Sequence, residues 1–191
     1  EAVRLWKTDR SDFLTLLATF LITLLAGIQI GILAGVILSL SIILYENSKP
    51  HYAILGQLPN SRKYRNVNRF PKAIQFPGLI IVRFDAQIYF ANAMFLREML
   101  EELAVEHQDL NAILLDMSSV HAIDSSGLHT LEELLDYFKK RNIVLYIASA
   151  IGPVRDLLEK TAFSEKVGTE HTFMLVHDAV KDYQEKHGKK Q

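Results

Sequence analysis

Residues 114–128 read LLDMSSVHAIDSSGL, and this stretch decides the fold. The apolar run at residues 112–116 has the composition of a buried strand that ends at Asp116. A short loop follows it, and residues 124–127 (DSSG) stand where an amphipathic helix begins. A strand, a short loop and a helix in this order predict one unit of an α/β domain.

The tetrapeptide at the start of this helix has a structural interpretation. Asp124, Ser125 or Ser126 at a helix entry can accept hydrogen bonds from the first backbone N–H groups of the helix. Gly127 allows another segment of backbone to come close. By itself the tetrapeptide is weak evidence, but its place between that strand and that helix makes it more specific.

Strands and helices alternate on both sides of this stretch. Apolar runs predict strands at residues 51–58, 64–67, 79–84, 112–116 and 143–147, and an adjoining strand at 87–90. Apolar periods near 3.6 predict helices at residues 93–106, 125–140, from Gly152 onward and at 173–183. This alternation predicts a sheet with helices packed on it.

The apolar residues are concentrated near the start of the chain. Residues 13–45 contain no charged side chain. As one straight helix this run would measure about 50 Å, whereas the hydrocarbon core of a membrane is ~30 Å thick. We therefore expect two short helices joined near residues 27–31. Lysine and arginine both precede and follow the run, which favours a hairpin with both ends in the cytoplasm.

Three glycines in this apolar run, Gly27, Gly31 and Gly35, recur every four residues. They would form a smooth helix face that lets another helix approach closely. The alternative is that glycine is simply common in membrane helices, and a buried helix pair in a soluble protein is the broader alternative for the whole run. Without a charged residue, the run offers no ion site. A transport site would therefore lie mostly outside these residues.

A basic run without an intervening acid lies between the apolar segment and the regular α/β alternation. Its members are Arg62, Lys63, Arg65, Arg69 and Lys72. Contact with anionic lipid head groups and a solvated loop are the two interpretations of this run. A nucleic-acid arm is disfavoured, because the run has no aromatic platform and the chain has a formal net charge of −1.

Three consecutive regions of the chain carry a resemblance to a known family. Residues 114–128 resemble the corresponding stretch of the STAS domain, which sulfate transporters share with anti-sigma-factor antagonists. The resemblance covers roughly residues 50–188 and centres on Asp116, Ser118, Val120, Ile123 and the DSSGL stretch. The apolar hairpin, the linker LGQLPNSRKYRNV at residues 55–67 and the stretch RFDAQIYFANA at 83–93 are similar to the transporter branch, the sulfate permease (SulP) family.

The resemblance implies an architecture. It implies a cytoplasmic juxtamembrane segment at residues 1–11, a transmembrane helical hairpin at 12–46, and a linker with a STAS domain at 47–190. The STAS domain would be α/β, with helices packed on a mixed sheet. The chain begins with Glu1 and its first residues lack the pattern of a secretory signal peptide, so we expect a fragment of a longer polypeptide.

The resemblance also implies a function, namely the C-terminal portion of a secondary-active, sulfate-like anion transporter whose STAS domain regulates or dimerises it. The expected partners are membrane lipid, the rest of the transporter membrane domain, a second copy and a regulatory protein at the STAS loop. In soluble members of the family the second serine of the motif is phosphorylated, which maps onto Ser126. The expected regulatory loop comprises Asp116, Asp124, Ser125, Ser126 and Gly127. The alternative is a membrane-tethered signalling module switched by serine phosphorylation, and nucleotide binding at this loop is a third hypothesis.

Composition and motifs argue against other classes of protein. The chain has no cysteine, which excludes disulfides, thiolate zinc sites and a cysteine nucleophile. No glycine-rich phosphate loop occurs, and the 7 histidines have no metal-ligand spacing. His121 and His129 flank the loop and are expected to face solvent. We therefore predict no enzyme activity, no cofactor, no metal and no nucleic-acid partner.

Overall fold

A computed structural model describes residues 10–187 of the chain. These residues belong to two compact units, Glu1–Lys49 and Pro50–Gln191. Residues 1–9 of the predicted juxtamembrane segment (residues 1–11) lie outside the described residues. The same holds for residues 188–190 of the predicted 47–190 domain.

The first unit contains two apolar helices, α1 (Arg10–Ala26) and α2 (Ile28–Ser48). The predicted break between them falls at Gly27, whose φ of 91° lies in the left-handed region that favours glycine. In length and composition α2 is sufficient to cross a membrane, whereas the apolar part of α1, Phe13–Ala26, is shorter.

Two of the three glycines lie between these helices. A Cβ atom at Gly31 would stand 2.8 Å from Cα of Thr23, and one at Gly35 would stand 2.9 Å from Cγ2 of Thr19. The close-approach interpretation is therefore correct for Gly31 and Gly35, because a side chain there would push α1 and α2 apart. Since this face joins two helices of one chain, it gives no support to the expected homodimer, which stays a prediction.

The second unit is built on a mixed six-stranded sheet. Its strands are β1 (Tyr52–Gln57), β2 (Tyr64–Asn66), β3 (Leu79–Phe84), β4 (Ala112–Asp116), β5 (Val144–Ala148) and β6 (Thr172–Phe173). They lie in the order β2-β1-β3-β4-β5-β6. β1 is antiparallel to β2 and β3, whereas β3 to β6 run parallel to one another.

Helices cover both faces of this sheet. They are α3 (Ala93–Glu106), α4 (Ser125–Lys140), α5 (Gly152–Lys160), α6 (Phe163–Val167) and α7 (Val176–His187). The central strand β4 is apolar on both faces, because Ile113 packs with α3 and α4 while Leu114 packs with α7. The predicted α/β class with a mixed sheet and packed helices is confirmed.

Two sequence predictions about elements are wrong. Residues 87–90 form no strand, because the buried Asn92 side chain accepts from the Tyr89 N–H and donates to the Gln87 carbonyl, which curls the backbone into turns. Within residues 87–90, only Ile88 forms an isolated β-bridge, and its partner is Ile123. The last helix begins at Val176 and not at Phe173, because Phe173 pairs with Ala148 as part of β6.

Candidate functional site

The start of α4 is fixed by the side chain of Asp124. One carboxylate oxygen accepts a hydrogen bond from the Gly127 N–H at 2.7 Å, and the other accepts from the Phe90 N–H at 3.0 Å. The Asp124 N–H donates to the Ile88 carbonyl at 3.1 Å. Asp124 is therefore the helix cap that the sequence predicts, and it also ties the helix to the turn at residues 88–90.

Glycine is required at position 127 because the start of α4 lies against the backbone of Ile88. A Cβ atom at this position would lie 2.7 Å from the Ile88 carbonyl oxygen and 2.8 Å from Ile88 Cγ2. Only a residue without a side chain lets the first turn of α4 lie this close to the backbone of another segment. The close approach expected at Gly127 is confirmed, and the segment that approaches is the one wrongly predicted as a strand.

Ser125 and Ser126 differ from these two residues. Both are exposed, and within residues 10–187 their hydroxyl groups have no hydrogen-bond partner. Two apolar side chains near this helix start, Phe90 and Met94, are also exposed. Phe90 belongs to the turn whose N–H donates to the Asp124 carboxylate. We call residues 124–127 the DSSG cluster: two of its members are structural, and two are free to meet a partner.

Asp116, the fifth predicted site residue, lies elsewhere. No hydrogen bond or ion pair connects its side chain with the DSSG cluster in the described part of the chain. Asp116 is buried, with 5 % of the residue exposed, and its carboxylate accepts from the Ser118 N–H at 3.0 Å. Burial raises the pKa of Asp116, against the opposing influence of the hydrogen bonds from Ser118 and the charge of Arg83. The five residues predicted as one regulatory loop therefore belong to two sites in the structure, the DSSG cluster and the surroundings of Asp116.

Asp116 lines a cleft of about 260 Å³ at the carboxyl ends of the parallel strands. Arg83 is its neighbour there, because the register of β3 and β4 pairs the two residues directly. The other polar side chains that line the cleft are Arg62, Tyr64, Arg65, Ser118, Ser149, His177 and Asp178. In open α/β sheets, the carboxyl ends of the strands are where ligands commonly bind.

Sequence reasoning missed a charged cluster beside this cleft. Arg83 donates from Nε and Nη2 to the two carboxylate oxygens of Asp85, at 2.6 and 3.0 Å. Nδ1 of His51 lies 2.8 Å from Oδ2 of Asp85. Burial acts to raise the pKa of Asp85, but the hydrogen bonds from Arg83, His51 and Ser119, together with the positive charge of Arg83, outweigh it and lower that pKa. Arg83 and Asp85 lie in the RFDA sequence at residues 83–86, but that sequence gives no sign that His51 lies beside them.

The two histidines beside the loop are exposed. His121 is exposed, and the exposed His129 has Nε2 3.6 Å from Oε1 of Glu133. The prediction that both face solvent is confirmed. Among residues 10–187, no group of three histidine or carboxylate side chains could hold a metal ion. That no cofactor is required stays a prediction.

Comparison with known proteins gives a family match and a set of curated relatives. The model of the STAS domain matches residues 70–179. Sulfate transporter 1.1 of Arabidopsis thaliana is 36 % identical over 188 residues, which cover 94 % of this chain and 29 % of the relative. High affinity sulfate transporter 1 of Stylosanthes hamata is 34 % identical over 190 residues, covering 95 % of this chain and 28 % of the relative. The chain therefore spans well under a third of the length of these relatives.

Solved structures share the fold. The murine Slc26a9 anion transporter in its inward-facing state has a TM-score of 0.85 at 22 % identity, covering 96 % of this chain and 30 % of that one. The STAS domain of a Vibrio cholerae SulP transporter has a TM-score of 0.53 at 21 % identity and covers 65 % of this chain and 94 % of that one. A putative anti-sigma factor antagonist of Thermotoga maritima reaches 0.51 at 17 % identity, covering 57 % of this chain and 90 % of that one, so the likeness is of fold alone.

Proposed function

This chain belongs to the STAS domain family, and from that premise we propose that it is the C-terminal portion of a secondary-active, sulfate-like anion transporter of the SulP type. One observation carries the proposal. The similarity to plant sulfate transporters extends over 188 to 190 residues at 34–39 % identity, and so includes the apolar hairpin as well as the STAS domain. A soluble regulator would need the STAS domain but not the apolar hairpin.

The exposed surface of the hairpin supports a membrane setting. Large apolar side chains are exposed along both helices, among them Leu25 at 87 % and Ile28 at 71 %. An apolar surface of this extent is stable in lipid but not in water. Polar side chains of the hairpin also bond within it, as lipid requires: Thr23 donates to the Thr19 carbonyl at 2.7 Å and Ser41 to the Ile37 carbonyl at 2.8 Å.

In this proposal the STAS domain lies in the cytoplasm and regulates or dimerises the transporter, while the ion pathway is formed by other membrane helices. The hairpin supports that division of labour, because residues 13–45 carry no charge with which to bind an ion. The partners proposed for the chain are membrane lipid, those other helices and a second copy.

A chimaera tests the proposal. Residues 1–191 would replace the aligned part of Sulfate transporter 1.1 of Arabidopsis thaliana, and the chimaera would be expressed in yeast that lacks sulfate uptake. We expect uptake of labelled sulfate well above that of the same transporter truncated before the replaced part. A chimaera that reaches the membrane in normal amounts, yet takes up no more sulfate than the truncated control, would contradict the proposal.

The DSSG cluster is the proposed regulatory surface, either as a docking site or as a site of phosphorylation at Ser126. Phosphate adds about −1.5 to −2 charges at neutral pH. The dipole of α4 attracts that charge and the neighbouring Asp124 repels it, so we expect the switch to act on an interface more than on the fold. Phosphopeptide mapping of the protein from its own cells would detect the modification. Ser126 found unmodified under all growth conditions would leave docking as the role.

A further inference from the structure

We propose that a second cleft in the STAS domain binds a dianionic oxyanion, namely sulfate, phosphate or the phosphate monoester of a lipid head group. This arginine cleft has a volume of about 440 Å³. It is lined by His51, Arg65, Asn66, Arg69, Arg83 and Asp85, with the ring of Phe70 beside them. The proposal does not depend on transport, since it concerns the STAS domain alone.

The charge balance of the arginine cleft is positive. Three guanidinium groups line it, and Asp85 is the one carboxylate among its lining residues. That carboxylate is already engaged by two hydrogen bonds from Arg83 and a contact with His51. Arg65 and Arg69 have no carboxylate within 4.0 Å in the described part of the chain, so two positive charges remain without a protein counter-ion.

The chain holds these two arginines on ordered backbone. Arg65 lies on β2, where it is paired with Gly56 of β1. Arg69 follows in a turn in which its N–H donates to the Asn66 carbonyl at 3.1 Å, while the Asn66 side chain accepts from the Asn68 N–H at 2.8 Å. The backbone of the basic run is therefore held in place here, while both arginine side chains are exposed. No acid occurs between residues 62 and 72, so the run itself supplies no carboxylate that could neutralise these arginines.

Guanidinium groups suit an oxyanion because their parallel N–H groups match two oxygens at once. Two arginines without a carboxylate partner can balance a dianion, and a lining amide from Asn66 offers a further donor. Nη1 of Arg65 also donates to the Tyr64 carbonyl at 3.3 Å, which leaves its other N–H groups for a ligand. The adjoining cleft of about 260 Å³ shares Arg65 and Arg83 but also contains Asp116 and Asp178. These carboxylates make it the poorer place for an anion, so the arginine cleft is the proposed site.

Isothermal titration calorimetry of the whole chain in non-ionic detergent tests the proposal. The probes are sodium sulfate, inorganic phosphate and a dioctanoyl phosphatidylinositol 4-phosphate. The variant R65A/R69A removes the unpaired cations, and R65K/R69K keeps their charge without the fork geometry. The control K140A/K160A removes two exposed positive charges that form no ion pair in residues 10–187. Far-UV circular dichroism checks that each variant is folded.

We expect saturable binding of at least one probe, at least tenfold weaker in R65A/R69A, intermediate in R65K/R69K and unchanged in K140A/K160A. Inorganic ions that bind as tightly as the phosphoinositide would identify a free oxyanion as the ligand. Tighter binding of the phosphoinositide, lost in the same variant, would identify a lipid head group. Absence of saturable binding for all three probes, or equal binding by R65A/R69A and the control, would overturn the proposal.

Discussion

The DSSG cluster and the arginine cleft lie in the same domain but are encoded in opposite ways. The first is a contiguous tetrapeptide that caps one helix. The second is assembled from β2, β3, a turn and the residues next to the ends of β1 and β3. Arg65 and Arg83 line one cleft because β2 and β3 lie on either side of β1. A contiguous motif can be recognised in the sequence with its structural role, whereas a cleft made by sheet order becomes visible only in the fold.

The largest effect that would test this contrast is at Gly127. Valine there would place its Cβ atom 2.7 Å from the Ile88 carbonyl oxygen, which is backbone and cannot move aside easily. We expect G127V to lower the free energy of unfolding by about 2–3 kcal/mol, measured by denaturant titration with circular dichroism. The matched control is G152V, because a Cβ at Gly152 meets nothing within 4 Å. Equal stability of the two variants would show that Gly127 is not held by close approach.

A smaller effect is expected at the cap itself. D124A leaves the N–H groups of Gly127 and Phe90 without their acceptor, so the free energy of unfolding should fall by about 1–2 kcal/mol. D124N keeps one acceptor oxygen and should lose less. Hydrogen exchange should quicken at the amides of Gly127 and Phe90 first. Unchanged exchange at Phe90 would show that Asp124 caps α4 without fastening the turn before α3.

The two carboxylates near Arg83 should respond to pH with opposite signs. The pKa of Asp85 is lowered in the folded state, so ionised Asp85 stabilises the fold above its unfolded pKa and that stability is lost as pH falls. The pKa of Asp116 is raised, so its contribution favours the fold at low pH and is lost as pH rises.

The opposite pKa shifts of Asp85 and Asp116 predict opposite effects on stability when each carboxylate is replaced by an amide. At pH 7 D85N should be less stable than the natural chain and D116N more stable. Both differences should shrink as the pH falls below the ordinary pKa of aspartate, because the unfolded chain then takes up protons at both positions and the contributions of ionised Asp85 and ionised Asp116 diminish. Denaturant titrations at pH 7 and pH 3 measure this. A D116N variant less stable than the natural chain at pH 7 would show that the hydrogen bond from Ser118 matters more than burial.

What the sequence could predict follows from how locally each feature is determined. Residues 79–84, 93–106 and 112–116 were predicted with the bounds the structure has, because apolar period and length decide them within each segment. The turn at 87–90 was missed because one buried side chain, Asn92, replaces strand pairing with its own hydrogen bonds. These hydrogen bonds are local, but the sequence does not show that the Asn92 side chain is buried and turned towards residues 87 and 89.

The site shows the same division. The cap at Asp124 and the close approach at Gly127 follow from residue type and position, and both were predicted. The contact of His51 with Asp85 requires the antiparallel pairing of β1 with β3, which sets Tyr52 opposite Phe84. A single sequence does not specify that register, so the basic run could be noticed but not placed in a cleft.

The smallest effect on stability is expected at Ser126, and that is what makes it informative. Its hydroxyl group has no partner in residues 10–187, so S126E should change the free energy of unfolding by less than about 0.5 kcal/mol. A new carboxylate in the first turn of α4 gains from the helix dipole and loses to Asp124. In the chimaeric transporter, S126E should nevertheless alter sulfate uptake if the DSSG cluster is a regulatory interface, whereas S125E/S126E should alter it further. Uptake unchanged in both variants, with their stability also unchanged, would show that the exposed serines are surface residues and that the cluster serves only to start the helix.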